Sequence, residues 1–409
     1  MTDRLYYHDS FLYEFEAQTV DVLPNADESG RTAILLNQTA FYPTSGGQVF
    51  DTGLMELPDG NKLRVHQVEQ NDNGDVLHFV DNHVRVERGT PIRGSIDAER
   101  RQDHMQQHTG QHVLSAAFIR LFELPTVSFH MGSESCTIDL DAKALTGQQV
   151  EAAEKLANQV IFENRPVEIR FVSQDQARGM GLRKIPVVDK EELRLIDIQD
   201  FDVTACGGTH VRSTCQIGVI LLRKTEKVRQ GWRVEFVCGG RAISTARKDY
   251  AVLAEAGGLL SSHYRDVPQQ IRKSQEDARL ARKMQEQLVE ELAEAHASKL
   301  LAEHHGAGGR RVIKKTFADR DQAYIKLLAQ RLTRGNENVV ALLAASSGTP
   351  AMVFAASPDQ GLDMNTAMKE ALARLGGRGG GSKELAQGGP ARVDDLETVL
   401  NELATKFAS

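Results

Sequence analysis

Length, composition and charge limit the kinds of protein this chain can be. Its 409 residues exceed what one ordinary core organises, so we expect two to four domains. The content is 41% hydrophobic and 26% charged, as in soluble globular proteins, and no apolar run approaches the roughly 18 residues of a membrane span. Four cysteines cannot form a disulfide framework in so long a chain, and the N-terminus lacks the order of a secretion signal, so we expect a cytoplasmic protein. The net charge of −7 argues only mildly against a nucleic-acid partner, because binding depends on where positive charge clusters.

The first part of the chain predicts an α+β module in two lobes. In residues 1–95, short runs such as TAILLN lie between clusters of Gly, Pro, Asn and Asp, which predicts a β-rich, barrel-like lobe. From Asp97 the apolar period becomes helical, behind an acidic first turn. Helix and strand patterns then alternate, so residues 96–245 are predicted to form a second, α+β lobe.

The rest of the chain predicts an arm and a small domain. Residues 266–305 keep a seven-residue apolar pattern, which predicts a helical arm of the coiled-coil type. Its apolar positions are small and partly polar, which favours a short antiparallel or dimeric arm over a strong zipper. Residues 310–409 predict a small α/β domain, with a glycine-dense loop, GGRGGGSKELAQGG, before its last helix. Its other predicted elements are a helix at Asp321–Leu332, strands at Val339–Ala344 and Ala351–Ala356, and a helix at Asn365–Leu375.

Two pairs of residues have the spacing of metal ligands. HTGQH places His108 and His112 four residues apart on one helical face. CGGTH places Cys206 and His210 four apart around two glycines that allow a tight turn. A thiolate with three imidazoles suits zinc, and we predict one zinc ion per chain. The alternatives are a closed zinc site that only joins the two lobes, or a buried cysteine with an unrelated histidine. His104, on the same helical face, is either a solvated neighbour or a reserve ligand.

At these residues the sequence resembles the editing domain of alanyl-tRNA synthetase and the free-standing AlaX-type editing proteins, which carry HxxxH followed by CxxxH. Further blocks agree: TAFYPTSGGQVFDTG at 39–53, SFHMGSESCTIDLD at 128–141 and VEFVCGGRA at 234–242. The segment GGRGGGSKELAQGG resembles the glycine motif of the DHH-associated domain that ends the synthetase. The resemblance covers almost the whole chain, but the aminoacylation core and ATP motifs of the synthetase are absent. It therefore implies the long free-standing form, with a C-terminal tRNA-binding domain.

The resemblance implies a zinc-dependent hydrolase that removes wrong amino acids, chiefly serine and also glycine, from tRNA(Ala). Such an activity has a physical reason, since a pocket built for alanine cannot strongly reject an added hydroxyl. Zinc would supply a nucleophile by lowering the pKa of bound water. Four side chains would fill a tetrahedral site, so the site must expand to five ligands or hold one histidine loosely. Two alternatives are a non-catalytic tRNA-binding protein with a structural zinc and a zinc hydrolase of small esters.

Four further residues are candidates for the hydrolytic site. By resemblance Gln48 lines the editing pocket, where its amide would position water or the substrate amine. Thr39 has a hydroxyl that would pair with the hydroxyl of a serine substrate; the alternative is an ordinary strand threonine. The backbone N–H groups of Gly207 and Gly208 would lie near the oxyanion that develops during ester hydrolysis. Alternatively, the two glycines only allow the chain to turn.

Basic residues in and beside the glycine-dense segment are candidates for tRNA contact. Arg374, Arg378 and Lys383 lie where backbone amides and positive charge would meet phosphate. The alternative is a flexible loop with solvated charges. A homodimer through the arm or the C-terminal domain is also compatible with these patterns.

Overall fold

A computed structural model describes residues 2–81, 85–180, 192–304, 309–346 and 348–408. It divides the chain into two compact units, Met1–Glu255 and Ala256–Ser409. Across the described residues the fold is mixed, with eight α-helices and a closed six-stranded barrel. The predicted α+β class with a barrel-like N-terminal lobe is therefore confirmed.

The first unit begins with the barrel. Strands β2, β3, β7, β6, β5 and β8 close it in that order, while β1 and β4 form a separate parallel pair. Alternation along β2 buries Phe15 and Ala17 inside and leaves charged residues outside. Gly94 in β8 packs so closely that an added Cβ would lie 2.2 Å from the Phe15 ring. The strands are β1 (Asp3–Arg4), β2 (Glu14–Leu23), β3 (Thr32–Leu36), β4 (Gln38–Thr39), β5 (Gly53–Glu56), β6 (Lys62–Gln70), β7 (Val76–Val80) and β8 (Pro91–Ile96).

A long helix and two sheets follow the barrel. One sheet has the order β14-β15-β10-β9 and the other β11-β12-β13. Helices α1 and α2 contribute to the hydrophobic core of this lobe through residues such as Val113, Leu114, Phe118 and Ala157. The elements are α1 (Ala98–Phe122), β9 (Thr126–Met131), β10 (Cys136–Leu140), α2 (Gly147–Phe162), β11 (Val167–Ser173), α3 (Gln174–Gly179), β12 (Glu192–Ile198), β13 (Asp202–Ala205), β14 (Ile220–Val228), β15 (Gly231–Cys238) and α4 (Gly239–Leu259).

Helix α1 is fixed to the barrel by a buried ion pair. Asp97 caps its first turn by accepting from the Arg100 N–H. One turn on, the fully buried Arg101 guanidinium binds Asp51, with its Nε 3.1 Å from Oδ1. Arg101 also donates to the backbone carbonyls of Ser10 and Ala40, at 2.7 and 2.6 Å. These bonds hold the segment around SGGQ against the helix that carries HTGQH.

The second unit is built on a five-stranded sheet of order β16-β17-β18-β20-β19. Every residue of β17 is buried, because apolar clusters cover both faces of the sheet. One cluster includes α6 and the end of α5, and the other includes α7 and α8. The elements are α5 (Val267–Glu303), β16 (Arg311–Phe317), α6 (Gln322–Thr333), β17 (Val339–Ala345), β18 (Ala351–Ala356), α7 (Met364–Leu375), β19 (Arg378–Gly381), β20 (Leu385–Gly389) and α8 (Leu396–Ala408).

The glycine-dense segment differs from its prediction as a loop. It forms the antiparallel hairpin β19–β20 at the edge of the sheet, with Gly379 paired to Gly388. An added Cβ on Gly379 would lie 2.5 Å from the Gly388 Cα, so the close strand pairing requires glycine. Most of the segment predicted as an arm forms the single helix α5, while its predicted last residue, 305, lies outside the described residues. Within the described chain, no helix combines the length and apolar character needed to cross a membrane.

Candidate metal centre

Four side chains converge where α1 meets the turn after β13. His108 and His112 lie one turn apart on α1, while Cys206 and His210 lie on the turn. One ligand atom from each of the four comes within 4.8 Å of every other. The Sγ of Cys206 is 3.4 Å from His108 Nε2 and 3.3 Å from His210 Nε2. His104 is buried but is not part of this group, so its interpretation as a solvated neighbour is wrong.

The Nδ1 side of each histidine faces another group. His108 Nδ1 is 2.7 Å from Gln48 Oε1, and His210 Nδ1 is 3.1 Å from the Thr109 hydroxyl. His112 Nδ1 lies 4.0 Å from an oxygen of Asp202. We assign the proton of His108 to Nδ1, because the Gln48 amide oxygen can only accept. The Nε2 lone pair of His108 then faces the sulfur.

Burial sets the protonation states of the cluster. It lowers the pKa of His108 to about 3, with a smaller contribution from the Arg194 charge, and lowers the pKa of His210 well below its usual value. Both imidazoles are therefore neutral, which is the form that binds a metal. Burial also raises the pKa of the Cys206 thiol, opposed by the Gly208 N–H and by Arg194.

This donor set fits a single zinc ion. Tetrahedral ligands at about 2.0 Å for nitrogen and 2.3 Å for sulfur lie about 3.5 Å apart, close to the observed N–S separations. Three imidazoles with one thiolate are ligands that zinc prefers. The ring nitrogens have outer partners of the kind that fix metal-bound histidines.

Gln48 supports this cluster with both ends of its amide. It is fully buried, and its Oε1 accepts from His108 and, at 3.1 Å, from the Thr209 N–H. Its Nε2 donates to the Thr209 hydroxyl at 2.8 Å. Gln48 therefore orients His108 in this structure.

The two glycines of CGGTH have different surroundings. An added Cβ on Gly208 would lie 2.1 Å from the His108 ring, so only glycine fits. Its N–H donates to the Cys206 sulfur at 3.4 Å. Gly207 is exposed and lies beside the Tyr7 hydroxyl.

Thr39 lies in a different hydrogen-bond network. It is fully buried, and its hydroxyl is 2.8 Å from His78 Nε2 and accepts from the Phe41 N–H at 3.1 Å. His78 Nδ1 in turn donates to the Ile34 carbonyl at 2.9 Å. These contacts join Thr39 to the barrel interior.

The three basic candidates lie on the C-terminal unit, at opposite ends of α7 and of the β19–β20 hairpin. Arg374 is in the last turn of α7 and forms an ion pair with Glu402, whereas the Lys383 carbonyl accepts from the N–H of Met364, the first residue of that helix. Arg378 begins β19, and Lys383 lies between β19 and β20. All three are exposed, so each is accessible to a polyanion.

Sequence reasoning missed three residues that support the cluster: Thr109, Asp202 and Arg194. Thr109 stands inside HTGQH, and Asp202 lies four residues before Cys206. A hydroxyl or carboxylate close to a ligand motif could have identified these two residues, because metal-bound histidines need hydrogen-bond partners of this kind. Arg194 carried no such signal, since only strand pairing brings it to Cys206.

Comparison with family models places domains of tRNA synthetases along the chain. The model described as tRNA synthetases class II (A) matches residues 3–100. The threonyl and alanyl tRNA synthetase second additional domain matches residues 193–235, and the DHHA1 domain matches residues 309–409. The chain therefore contains domains of the synthetase-associated class, and the second of them includes Cys206 and His210.

Comparison with individual proteins identifies the family within this class. The chain is 32% identical over 394 residues to the alanyl-tRNA editing protein AlaX-L of Pyrococcus horikoshii, covering 95% of this chain and 94% of that protein. It is 32% identical over 408 residues to the alanine–tRNA ligase of Pyrococcus abyssi, but spans only 42% of the ligase. The solved C-Ala domain of Aquifex aeolicus alanyl-tRNA synthetase is 21% identical over 26% of this chain and 97% of that domain, with a TM-score of 0.24. The chain belongs to the AlaX-type family of alanyl-tRNA editing proteins, as its motifs predicted.

Proposed function

We propose that this protein is a zinc-dependent deacylase that hydrolyses mischarged tRNA(Ala), chiefly the seryl ester and also the glycyl ester. One observation carries the proposal: the four ligand atoms of His108, His112, Cys206 and His210 lie within 4.8 Å of one another. This occurs in a chain that aligns almost end to end with an alanyl-tRNA editing protein.

The side chains at the centre have separate tasks in this proposal. Zinc held by the four ligands would activate water and polarise the ester carbonyl. Gln48 would keep the His108 Nε2 directed at the metal, and Thr109 would hold the His210 ring through its contact with Nδ1. We retain the Thr39 hydroxyl as the candidate that distinguishes serine from alanine, and the turn at Gly207 and Gly208 as the candidate oxyanion contact.

The parts of the chain would have separate roles. We propose that residues 1–95 and 96–245 form the two lobes of the editing module. Residues 310–409 would bind tRNA through Arg374, Arg378 and Lys383, whose exposed charges suit phosphate. Helix α5 would act as a coiled-coil arm, since apolar residues such as Leu280, Met284 and Leu288 are exposed along it. This arm would allow two chains to form a homodimer. We also propose that the protein is located in the reducing cytoplasm.

The test is direct. Purified protein is incubated with Ser-, Gly- and Ala-tRNA(Ala), before and after removal of metal by a chelator, and release of the amino acid is followed. We expect rapid loss of serine, slow loss of alanine, and recovery of activity when zinc alone is added back. Mischarged tRNA that is bound but not hydrolysed would favour the alternative of a tRNA-binding protein with a structural zinc.

A further inference from the structure

We propose that Arg194 is a positioning residue that holds Cys206 in the orientation required for metal binding. Arg194 lies on β12, next to the strand that leads into CGGTH. The inference rests on the metal centre of the proposed function and is independent of whether the centre hydrolyses tRNA.

Arg194 binds both backbone polar groups of Cys206. Its carbonyl accepts from the Cys206 N–H at 3.2 Å, and its Nη1 donates to the Cys206 carbonyl at 2.6 Å. The two residues after Cys206 are glycines, which leave the backbone free to adopt many conformations. These two hydrogen bonds, which we call the Arg194 clamp, lie on either side of the Cys206 Cα. They restrict the backbone freedom of Cys206 itself, which carries the sulfur.

A second contact fixes the clamp itself. Arg194 Nε donates to the Tyr7 carbonyl at 2.9 Å, and its guanidinium lies 5.4 Å from the centre of the Tyr7 ring. The Tyr7 hydroxyl is in turn held by Arg4 at 2.9 Å. Because the guanidinium donors form a rigid planar fork, fixing Nε on Tyr7 also fixes the direction of Nη1 toward Cys206.

The position of the guanidinium rests on these backbone contacts. Arg194 is 8% exposed, and its Nη2 has no hydrogen-bond partner among the described residues. Nε and Nη1 are therefore the donors that hold the side chain between Tyr7 and Cys206, and a residue without them loses both bonds.

The test compares zinc binding by full-length Arg194→Met and Arg194→Lys with that of the unmodified protein. Arg170→Met is the matched control, because Arg170 lies on the neighbouring strand β11 but pairs with Asp197. Zinc dissociation constants are measured by competition with a chromogenic chelator. Cobalt substitution reports the sulfur–metal bond through its charge-transfer absorption, and urea denaturation of the metal-free proteins reports stability.

We expect Arg194→Met to raise the zinc dissociation constant about 10- to 100-fold and to weaken or shift the cobalt–sulfur band. Arg194→Lys keeps an N–H donor but not the rigid fork, so its effect should be smaller and in the same direction. It also carries the test if the Met variant does not fold. Arg170→Met should match the unmodified protein in both metal measurements.

Two results would overturn the proposal. One is an unchanged zinc affinity and cobalt spectrum in both Arg194 variants. The other is a loss of stability that is equal in the metal-free and zinc-bound proteins, which would make Arg194 a structural residue only. A protein that binds zinc in this Arg194-dependent way but hydrolyses no aminoacyl-tRNA would refute the proposed function and leave this inference standing.

Discussion

Gln48 is the residue whose amide fixes the tautomer of His108, a candidate metal ligand. Gln48→Leu keeps much of the volume but removes the acceptor for His108 Nδ1 and for the Thr209 N–H. We expect the zinc dissociation constant to rise about tenfold or more, because outer partners of this kind hold the ring in place. Chelator competition measures it, with Gln38→Leu in β4 as the control. Equal affinities in both variants would show that His108 needs no such partner.

Thr39 is the candidate for serine selectivity. An unpaired buried polar group costs roughly 1–3 kcal/mol, which corresponds to about ten- to hundredfold selectivity. Thr39→Val should lower the rate on Ser-tRNA(Ala) while zinc content and Ala-tRNA(Ala) hydrolysis stay nearly constant. The substitution also removes the partner of His78 Nε2, so His78→Gln is the matched control. An unchanged serine-to-alanine ratio in Thr39→Val, or an equal change in the control, would remove Thr39 from the selectivity model.

His78 makes the stability of the first unit depend on pH. Full burial lowers its pKa to about 4 from 6.5, partly opposed by its bond to the Ile34 carbonyl. Between these values the unfolded chain binds a proton that the folded chain does not, so stability is complete above about pH 6.5 and falls toward pH 4. The loss should approach about 3 kcal/mol for this residue. Urea denaturation across this range should show a shallower decline in His78→Gln, and parallel curves would refute the assignment.

At the scale of elements, the junction between α1 and the barrel depends on one buried ion pair. Asp51→Asn removes the charge that balances Arg101, and breaking a buried pair in this way costs about 3–5 kcal/mol. Glu14→Gln is the control, because the Glu14–Arg93 pair is exposed on the barrel surface. Denaturation should show a large loss in the first variant and little change in the second. A similarly small loss of stability in both variants would mean that water enters the junction between α1 and the barrel.

The elements that carry alternating or periodic side chains were predictable from the sequence. The helix predicted at Asp321–Leu332 is Gln322–Thr333, and the strand predicted at Ala351–Ala356 has those bounds. The hairpin β19–β20 was not recognised, because glycines provide no side-chain pattern and their close strand pairing is invisible in sequence. Likewise, spacing indicated the four candidate ligands, but Arg194 reaches Cys206 only through the pairing of separate strands.

At the scale of the whole molecule, the two compact units predict the outcome of truncation. A chain ending after Glu255 keeps the barrel, both sheets of the first unit and all four candidate ligands. We expect it to fold and bind zinc but to bind tRNA more weakly, since it lacks Arg374, Arg378 and Lys383. Elemental analysis, circular dichroism and a filter-binding assay measure these properties. Unchanged tRNA affinity would exclude the C-terminal unit from recognition.

The metal centre also has a consequence for the entropy of the unfolded chain. His108 and Cys206 are 98 residues apart in sequence, so an ion shared by them closes a very long loop. A permanent cross-link around a loop of that size would lower the conformational entropy of the unfolded state by the equivalent of about 4–5 kcal/mol. A zinc ion held by both segments would act as a reversible cross-link of this kind. Under the proposed zinc binding, the metal-free protein is therefore expected to unfold more readily than the zinc-bound protein, whether or not the centre is catalytic.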